Sequence, residues 1–451
     1  MKRIFILICF VFATASIYAQ KQWTLEDCLR YAQDNNITIK KAFLNTEITK
    51  QNHFQSKMAL LPNLNASLSD NTNFGRNIDP VTNQITIDRV RNNNFSLSTS
   101  LTLFNGFQSI NNIRKNNFDY LSSKYDAEKI ANDISVNIVT AYLQLLYNSD
   151  LVEVSQQKLD ISELQVERIA KMVEVGSLPK GDLLNTESQK AQEELQLINA
   201  QNQRDIAKLN LMQLLDLSVS ESFEIVQLEV DVDENYSTLD NQAVYTLALE
   251  NLPDIKSAET KLKSSERSLA ISQAARSPRL SLSASVGTLY SDANKSTVYD
   301  SLGAIPTLQD YPFEDQFNDN VSQAISLILS IPIFNNWQAN SSISLAKIGV
   351  LQAQYSLQEA KNNLRKTIEQ AQNDARSAQK KYIASKKSVL YQEESFQYTQ
   401  NKYDLQLVNS YDYNNAKNIL FKAETDLLQS KYDYIFKTKM LDFYMGKPLK
   451  F

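Results

Sequence analysis

The chain has 451 residues, 22% of them charged, a formal net charge of −5, and only 8 glycines and 9 prolines. Glycine and proline shares well below the usual ~7% and ~5% leave little material for turns, which excludes a fold of many short elements and favours long helices. The acidic balance argues against nucleic acid or an anionic membrane surface as the main partner.

Residues 1–19 read as a secretory signal: Lys2 and Arg3, an apolar stretch from Ile4 to Phe12, then small residues up to Ala19. Its removal would change the net charge from −5 to −7 by the loss of Lys2 and Arg3 and leave Cys28 as the sole cysteine, so no internal disulfide is expected. No later stretch approaches the ~18 apolar residues of a spanning helix.

A helical segment around "CLRYAQDNN" (28–36) leads to Pro62 and then to alternating residues. In "NLNASLS", Leu64, Ala66 and Leu68 oppose Asn65, Ser67 and Ser69, and in "FSLSTSLTLF", Phe95, Leu97, Thr99, Leu101 and Leu103 oppose Ser96, Ser98, Ser100 and Thr102. A period of two predicts strands. The polar loop between them is expected over residues 70–94.

After "LFNGF" (103–107) no glycine or proline occurs before Val175, and Ile138, Leu145, Val152, Leu159, Val166 and Val173 recur every seven residues. A sustained heptad predicts a helix packed side by side with others in a left-handed supercoil, and nearly seventy residues at ~1.5 Å each span roughly 100 Å. The break "VGSLPKGD" (175–182) and a returning helical stretch predict a hairpin. An acidic connector follows, with "EVDVDEN" at 229–235.

The second half repeats this order. Leu280, Leu282, Ala284 and Val286 oppose Ser281, Ser283 and Ser285; a polar loop over 290–320 follows; then Ile325, Leu327, Leu329, Ile331 and Ile333 oppose Ser326 and Ser330. "IFNNW" (333–337) stands 230 positions after "LFNGF", and Ile368, Ala375, Tyr382, Val389, Phe396 and Tyr403 repeat the first heptad seam at that same offset. Matches before the junction differ by 216, a change accounted for by unequal loops. Pro62, Pro278 and Pro332 fall where helix and strand meet. The expected organisation is a signal (1–19), a first repeat (20–217), an acidic connector (218–240), a second repeat (241–446) and a C-terminal tail (447–451).

Four strands with an aliphatic and a serine-rich face would expose a greasy side and two edges unless closed. In a bilayer, closed barrels meet both demands. Two copies would give eight strands, whose interior side chains fill, whereas three copies give twelve, the smallest count here that leaves a pore. The expected fold class is therefore an α+β membrane protein, with long antiparallel coiled-coil hairpins forming an α-barrel and four β-strands per chain contributing to a trimeric 12-stranded transmembrane β-barrel.

On the duplicated strand-hairpin and helix-hairpin order, the three prolines and the breaks "VGSLPKGDLLNTESQ" and "YDLQLVNSYDYNNA", the whole mature sequence resembles the TolC-type outer-membrane efflux proteins. The resemblance implies a homotrimer in outer-membrane lipid of a Gram-negative bacterium, its connector in an equatorial region and its helices reaching across the periplasm. It also implies partners: a periplasmic adaptor and an inner-membrane efflux pump or ABC transporter. The duct would carry substrates passively in efflux or type I secretion.

It further implies a periplasmic gate onto which Asp182, Tyr403 and Asp412 fall, the tyrosine bonded to a neighbouring aspartate, and an adaptor-contacting tip at Val175, Gly176, Ser177, Leu178, Val408 and Asn409. Val408 stands where some relatives place a gate arginine and Asn415 where they place a second ring aspartate, which implies a closed-state network that is weaker or rebuilt from other groups. Bland roles compete at each position. Asp182 and Asp412 suit helix caps, Gly176 suits a C-cap, and Tyr403 suits packing on its seam.

His53 is the only histidine, which leaves no Ser/His/Asp or Cys/His system and no histidine-based metal site; no cofactor is expected. Glu193–Glu194 and Glu393–Glu394 read as solvated helix surface. A non-conducting periplasmic coiled-coil scaffold is the alternative reading, which leaves the serine-faced strands unexplained.

Overall fold

The computed structural model describes residues 22–87, 89–218, 223–227, 240–299 and 306–449. The expected signal, the "EVDVDEN" run and the last two residues of the tail lie outside these. Two compact units divide the chain, one made of Met1–Thr46, Ser123–Ala258 and Leu357–Phe451, the other of Glu47–Ser122 and Glu259–Ser356.

In chain order the elements are β1 (Gln22–Trp23), α1 (Leu25–Asn35), α2 (Ile37–Met58), β2 (Asn63–Asn73), β3 (Asn77–Ile78), β4 (Ile85–Thr86), β5 (Val90–Phe104), α3 (Gln108–Glu174) and α4 (Lys180–Leu214). There follow β6 (Glu224–Ile225), α5 (Asn241–Asn251), α6 (Pro253–Ala274), β7 (Arg279–Ser291), β8 (Lys295–Tyr299), β9 (Pro306–Asp310), α7 (Phe313–Asp319), β10 (Ser322–Ser330), α8 (Gln338–Asp404) and α9 (Ser410–Tyr444).

The helices α3 and α8 each run 67 residues, their parts from Ser123 and from Leu357 onward belonging to the first unit, and α4 and α9, wholly within that unit, each run 35. Both heptad seams are buried where the helices pack, at Ile138, Leu145 and Leu159 and again at Ile368, Ala375, Val389 and Phe396. Returning helices pack back on their partners: Asn148 Nδ2 donates to Gln203 O (3.2 Å) between α3 and α4, and Tyr382 stacks on Tyr434 (6.0 Å between centroids) between α8 and α9. The main core joins Leu25, Cys28 and Ala32 of α1 to Ile138, Tyr142 and Leu146 of α3, Leu211 of α4, Phe223, and Ile435 of α9. Thr24 and Asp27 close a capping box at the start of α1. The Tyr142 hydroxyl, 3.2 Å from both Trp23 O and Val226 O, ties the parallel β1–β6 pair to α3.

The second unit holds a four-stranded antiparallel sheet in the order β10-β7-β5-β2. Its register sets Leu64, Ala66 and Leu68 opposite Thr99, Leu97 and Phe95; Val286, Ala284 and Leu282 opposite Leu97, Thr99 and Leu101; and Ile325, Leu327 and Leu329 opposite Ala284, Leu282 and Leu280. One face is therefore aliphatic across all four strands, and the other carries Ser67, Ser96, Ser98, Ser100, Ser283, Ser285 and Ser326. A bulge between Thr102 and Phe104 places Phe104, not Leu103, opposite Leu280.

Three sequence expectations need correction here. The loop expected from residue 70 begins later, because Asp70 pairs with Asn93 inside β2–β5 and takes a two-pronged bond from Arg91 (2.9 and 2.7 Å). The last strand ends at Ser330, short of Ile331 and Ile333, since Pro332 has no N–H for the ladder. Neither loop is structureless: β3 pairs with β4, β8 pairs with β9, and α7 precedes β10.

The repeated junction has a backbone cause. Gly106 and Phe107 lie at φ 63° and 65°, and Asn336 and Trp337 at φ 51° and 64°. Each strand-to-helix turn needs two successive left-handed residues, and Gly and Asn accept the first at least cost. At Gly106 a Cβ would also fall 2.4 Å from Ser277 Cβ, so glycine is required there.

Candidate functional site

Both long helices end in the same Schellman cap. After α3, Gly176 N donates to Val173 O (3.0 Å) and Ser177 N to Met172 O (2.8 Å); after α8, Gln406 N donates to Tyr403 O (2.9 Å) and Leu407 N to Lys402 O (2.8 Å). Gly176 takes its left-handed φ of 75° without strain, whereas Gln406 holds φ 60° with a side chain attached. The glycine thus serves as the C-cap considered from sequence.

The aspartates are not the caps. Pro179 caps α4 without a side-chain bond, and Asn409 caps α9 by accepting from Asp412 N at 2.9 Å. Asp182 and Asp412 instead occupy the third position of their helices, where the positive end of the helix dipole favours a carboxylate.

A cavity of about 460 Å³ brings together Ser177, Leu178 and Asp182 from the first break with Tyr403, Val408, Asn409 and Asp412 from the second. Val175 and Gly176, both exposed, do not line it. Arg168, also on its wall, forms an ion pair with Asp404, linking α3 to α8. Neither residue drew attention in the sequence, because both sit outside the heptad seam on polar helix faces. Tyr403 stacks on Tyr413 of α9 (4.7 Å, 26° between planes). Burial pushes the Tyr403 hydroxyl above its usual pKa, against smaller opposing effects of Gln165 and Arg168. Burial likewise raises Tyr413 to about 12, so both rings are neutral at ordinary pH.

Further along the same helices, sequence reasoning misjudged Glu193. Its neighbour Glu194 is exposed, as are Glu393 and Glu394, but Glu193 is 1% exposed and sits among three helices. Lys417 Nζ of α9 lies 2.8 Å from Glu193 Oε1 and also donates to Ser162 Oγ of α3, which in turn donates to Glu193 Oε2. Lys158 Nζ of α3 stands 4.0 Å from the same carboxylate, donates to Gln196 Oε1 (3.0 Å) and lies over the Phe421 ring (4.1 Å). Gln189 Nε2 completes the shell at 2.8 Å from Glu193 Oε1. Burial lowers the pKa of both lysines, opposed in each case by Glu193. Burial also raises nearby Glu424, as does Glu393.

No helix among the described residues is long and apolar enough to cross a membrane. The model of the family described as "Outer membrane efflux protein" matches residues 28–216 and 244–447. The chain is 22% identical over 75% of its length to "Toxin and drug export protein A" of Aggregatibacter actinomycetemcomitans, spanning 69% of that protein. It is 23% identical over 66% of its length to "Outer membrane protein TolC" of Escherichia coli, spanning 58% of it. Its fold is similar to the outer membrane protein VceC of Vibrio cholerae, with a TM-score of 0.76, 14% identity, and coverage of 94% of this chain and 97% of that one.

Proposed function

Because the chain belongs to the outer membrane efflux protein family, and so resides in the outer membrane with a periplasmic extension, we propose that three copies form a conducting exit duct. Each copy contributes β2, β5, β7 and β10 to a twelve-stranded barrel, and the paired hairpins α3–α4 and α8–α9 continue the conduit as a helical tube. The carrying observation is the sheet: an aliphatic face in register across four strands, a serine-rich opposite face, and two outermost strands, β2 and β10, with a free edge each. Three-fold closure pairs those edges, turns the serine side toward water and the aliphatic side toward lipid. Two repeats, 20–217 and 241–446, joined by the acidic connector, are the units of this arrangement.

Energy for transport comes from a partner, an inner-membrane pump or ABC transporter reached through a periplasmic adaptor. The export functions named for the relatives fit this role. The adaptor meets the tip at Val175, Gly176, Ser177, Leu178, Val408 and Asn409. The gate lies just inside, where Asp182 and Asp412, tripled by symmetry, ring the opening with carboxylates, Tyr403 packs behind them, and the Arg168–Asp404 pair replaces the arginine missing at Val408.

Carboxylate rings favour cations. In planar bilayers, Asp412→Ala is expected to lower the cation-to-anion permeability ratio of the purified protein, and an unchanged ratio removes Asp412 from the pore lining. Recovery of the native protein from the soluble fraction as a monomer would defeat the duct reading altogether.

A further inference from the structure

At the loop end of the sheet the aliphatic face does not simply stop. Phe313 and Phe317 of α7 pack edge-on against Phe95 (6.1 and 5.3 Å between centroids), and Phe313 also meets Tyr290 (5.2 Å). By strand register Phe95 and Tyr290 belong to the aliphatic face, so α7 lies on that side. A seven-residue helix has no stability of its own. It is held by Thr288 Oγ1 donating to Phe317 O (2.7 Å), Asn320 Nδ2 donating to Leu289 O (2.6 Å), and fully buried Gln316 bonded to Ser291 N (3.1 Å) and Ser291 O (3.0 Å). Despite this anchoring, Phe313 and Phe317 stay 48% and 38% exposed. The helix is pinned so as to present them.

A second aromatic group marks the helix end of the sheet. Phe104 contacts Phe107 edge-on (5.7 Å), and Phe107 and Trp337 are exposed on their left-handed turns. Nine residues separate Phe95 from Phe104 along β5. At ~3.3 Å per residue and a tilt of ~40°, that is about 30 Å of strand and roughly 23 Å along a barrel axis, close to the ~25 Å apolar band of outer-membrane barrels.

We propose that α7 is a lipid-contact element: Phe313 and Phe317, with Phe95 and Tyr290, form the outer aromatic girdle at the boundary between headgroups and acyl chains of the outer leaflet. The proposal rests on the reading of the sheet as part of a membrane barrel with its aliphatic side outward. The exposed carboxylates of Glu314, Asp315 and Asp319 keep the rest of the helix in water, and aromatic rings are the side chains that favour this depth.

The test reconstitutes full-length protein into phosphatidylcholine vesicles whose chains are brominated either near the headgroup or near the chain end. In a Trp337→Phe background, buried Trp23 is the constant signal, and Phe313→Trp adds one indole. Its emission is expected to be quenched about two-fold more by bromine near the headgroup than by bromine near the chain end, as interfacial placement requires. Phe317→Trp serves in its place if the first variant yields no heat-modifiable oligomer. Leu327→Trp, on the aliphatic face, is expected to be quenched by chain-end bromine. An α7 indole that escapes lipid bromine and is quenched by aqueous iodide, with Leu327→Trp still quenched, overturns the proposal alone. If Leu327→Trp also escapes, the barrel reading fails and the proposal with it.

Discussion

The hairpins α3–α4 and α8–α9 match in length residue for residue, share a heptad phase 230 positions apart and end in the same cap, yet their interiors differ in kind. Glu193 of the first has its counterpart in buried Ala423 of the second, Lys158 in Ser388, and Lys417 in Glu187. Backbone geometry depends on the repeating apolar seam, which is satisfied by many side chains. A buried charge depends on specific partners, so among the described residues of the two hairpins this cluster occurs once, where α9 of one hairpin docks against both helices of the other.

Removing the carboxylate tests that difference most severely. Glu193→Ala leaves Lys158 and Lys417 buried without their common counter-charge, and loss of one partner from a buried ion cluster costs about 3–5 kcal/mol. Thermal denaturation of the detergent-solubilised protein should show a large fall in Tm, whereas Ala423→Ser, at the matching site, should shift it little. Equal effects at the two sites would erase the asymmetry.

Lys417→Met is expected to cost less, because Lys158 remains 4.0 Å from Glu193 and a methionine stem fills most of the lysine's volume. Its signature is the pH dependence. Burial holds Lys158 and Lys417 below the usual 10.5, so the unfolded chain binds more protons than the folded one as pH approaches that value. Stability should therefore rise with pH between the depressed folded pKa values and 10.5. The variant loses part of that slope, and a slope identical to the native one would show that Lys417 does not titrate in this setting.

What could be read from sequence follows the same division. Periodic features were legible: two 67-residue helices, the first from a span without glycine or proline and the second from a span interrupted only by Gly349, four long strands from Ser/Leu alternation, and the phase of both faces. Features made by distant residues meeting were not. Glu193 looks like Glu194 in a polar helix, and only the approach of Lys417, 224 positions away, distinguishes it. Arg168 and Asp404 were missed for that reason too. "FEDQFND" is too short to show a period, so α7 depends on bonds from β7 that no local pattern announces. The aspartates at the two breaks were visible, but the cap role went to Asn409 and Pro179, because the helices begin three residues earlier than the carboxylates suggest.

A smaller effect separates the two caps. Gly176→Ala is expected to cost about 1 kcal/mol from the positive φ alone, since nothing lies within 4 Å of a Cβ there. Gln406→Gly relieves the same strain and should stabilise the second tip by a similar or smaller amount, less the entropy of a freer unfolded chain. Opposite signs in hydrogen-exchange protection of the last turns of α3 and α8 would show that the caps share a geometry but not a cost. Like signs would mean that contacts of the Gln406 side chain outweigh its backbone strain.

The smallest change in stability falls at the pair that joins the hairpins beside the cavity. Arg168 and Asp404 are 44% and 43% exposed, and an ion pair so open to solvent contributes only ~0.2–1 kcal/mol. Arg168→Ala should leave Tm almost unmoved. In the proposed duct its effect on conduction is expected to be larger, because there the pair would be repeated in every protomer beside the opening: each broken link removes a restraint between α3 and α8 without unfolding either helix. Single-channel recordings should show a higher open fraction for Arg168→Ala than for the native protein, and high salt, which screens exposed pairs, should move the native protein in the same direction while leaving the variant unchanged. An open fraction insensitive both to the substitution and to salt would make the Arg168–Asp404 contact a surface ornament and return the gate to Tyr403 and the two aspartates.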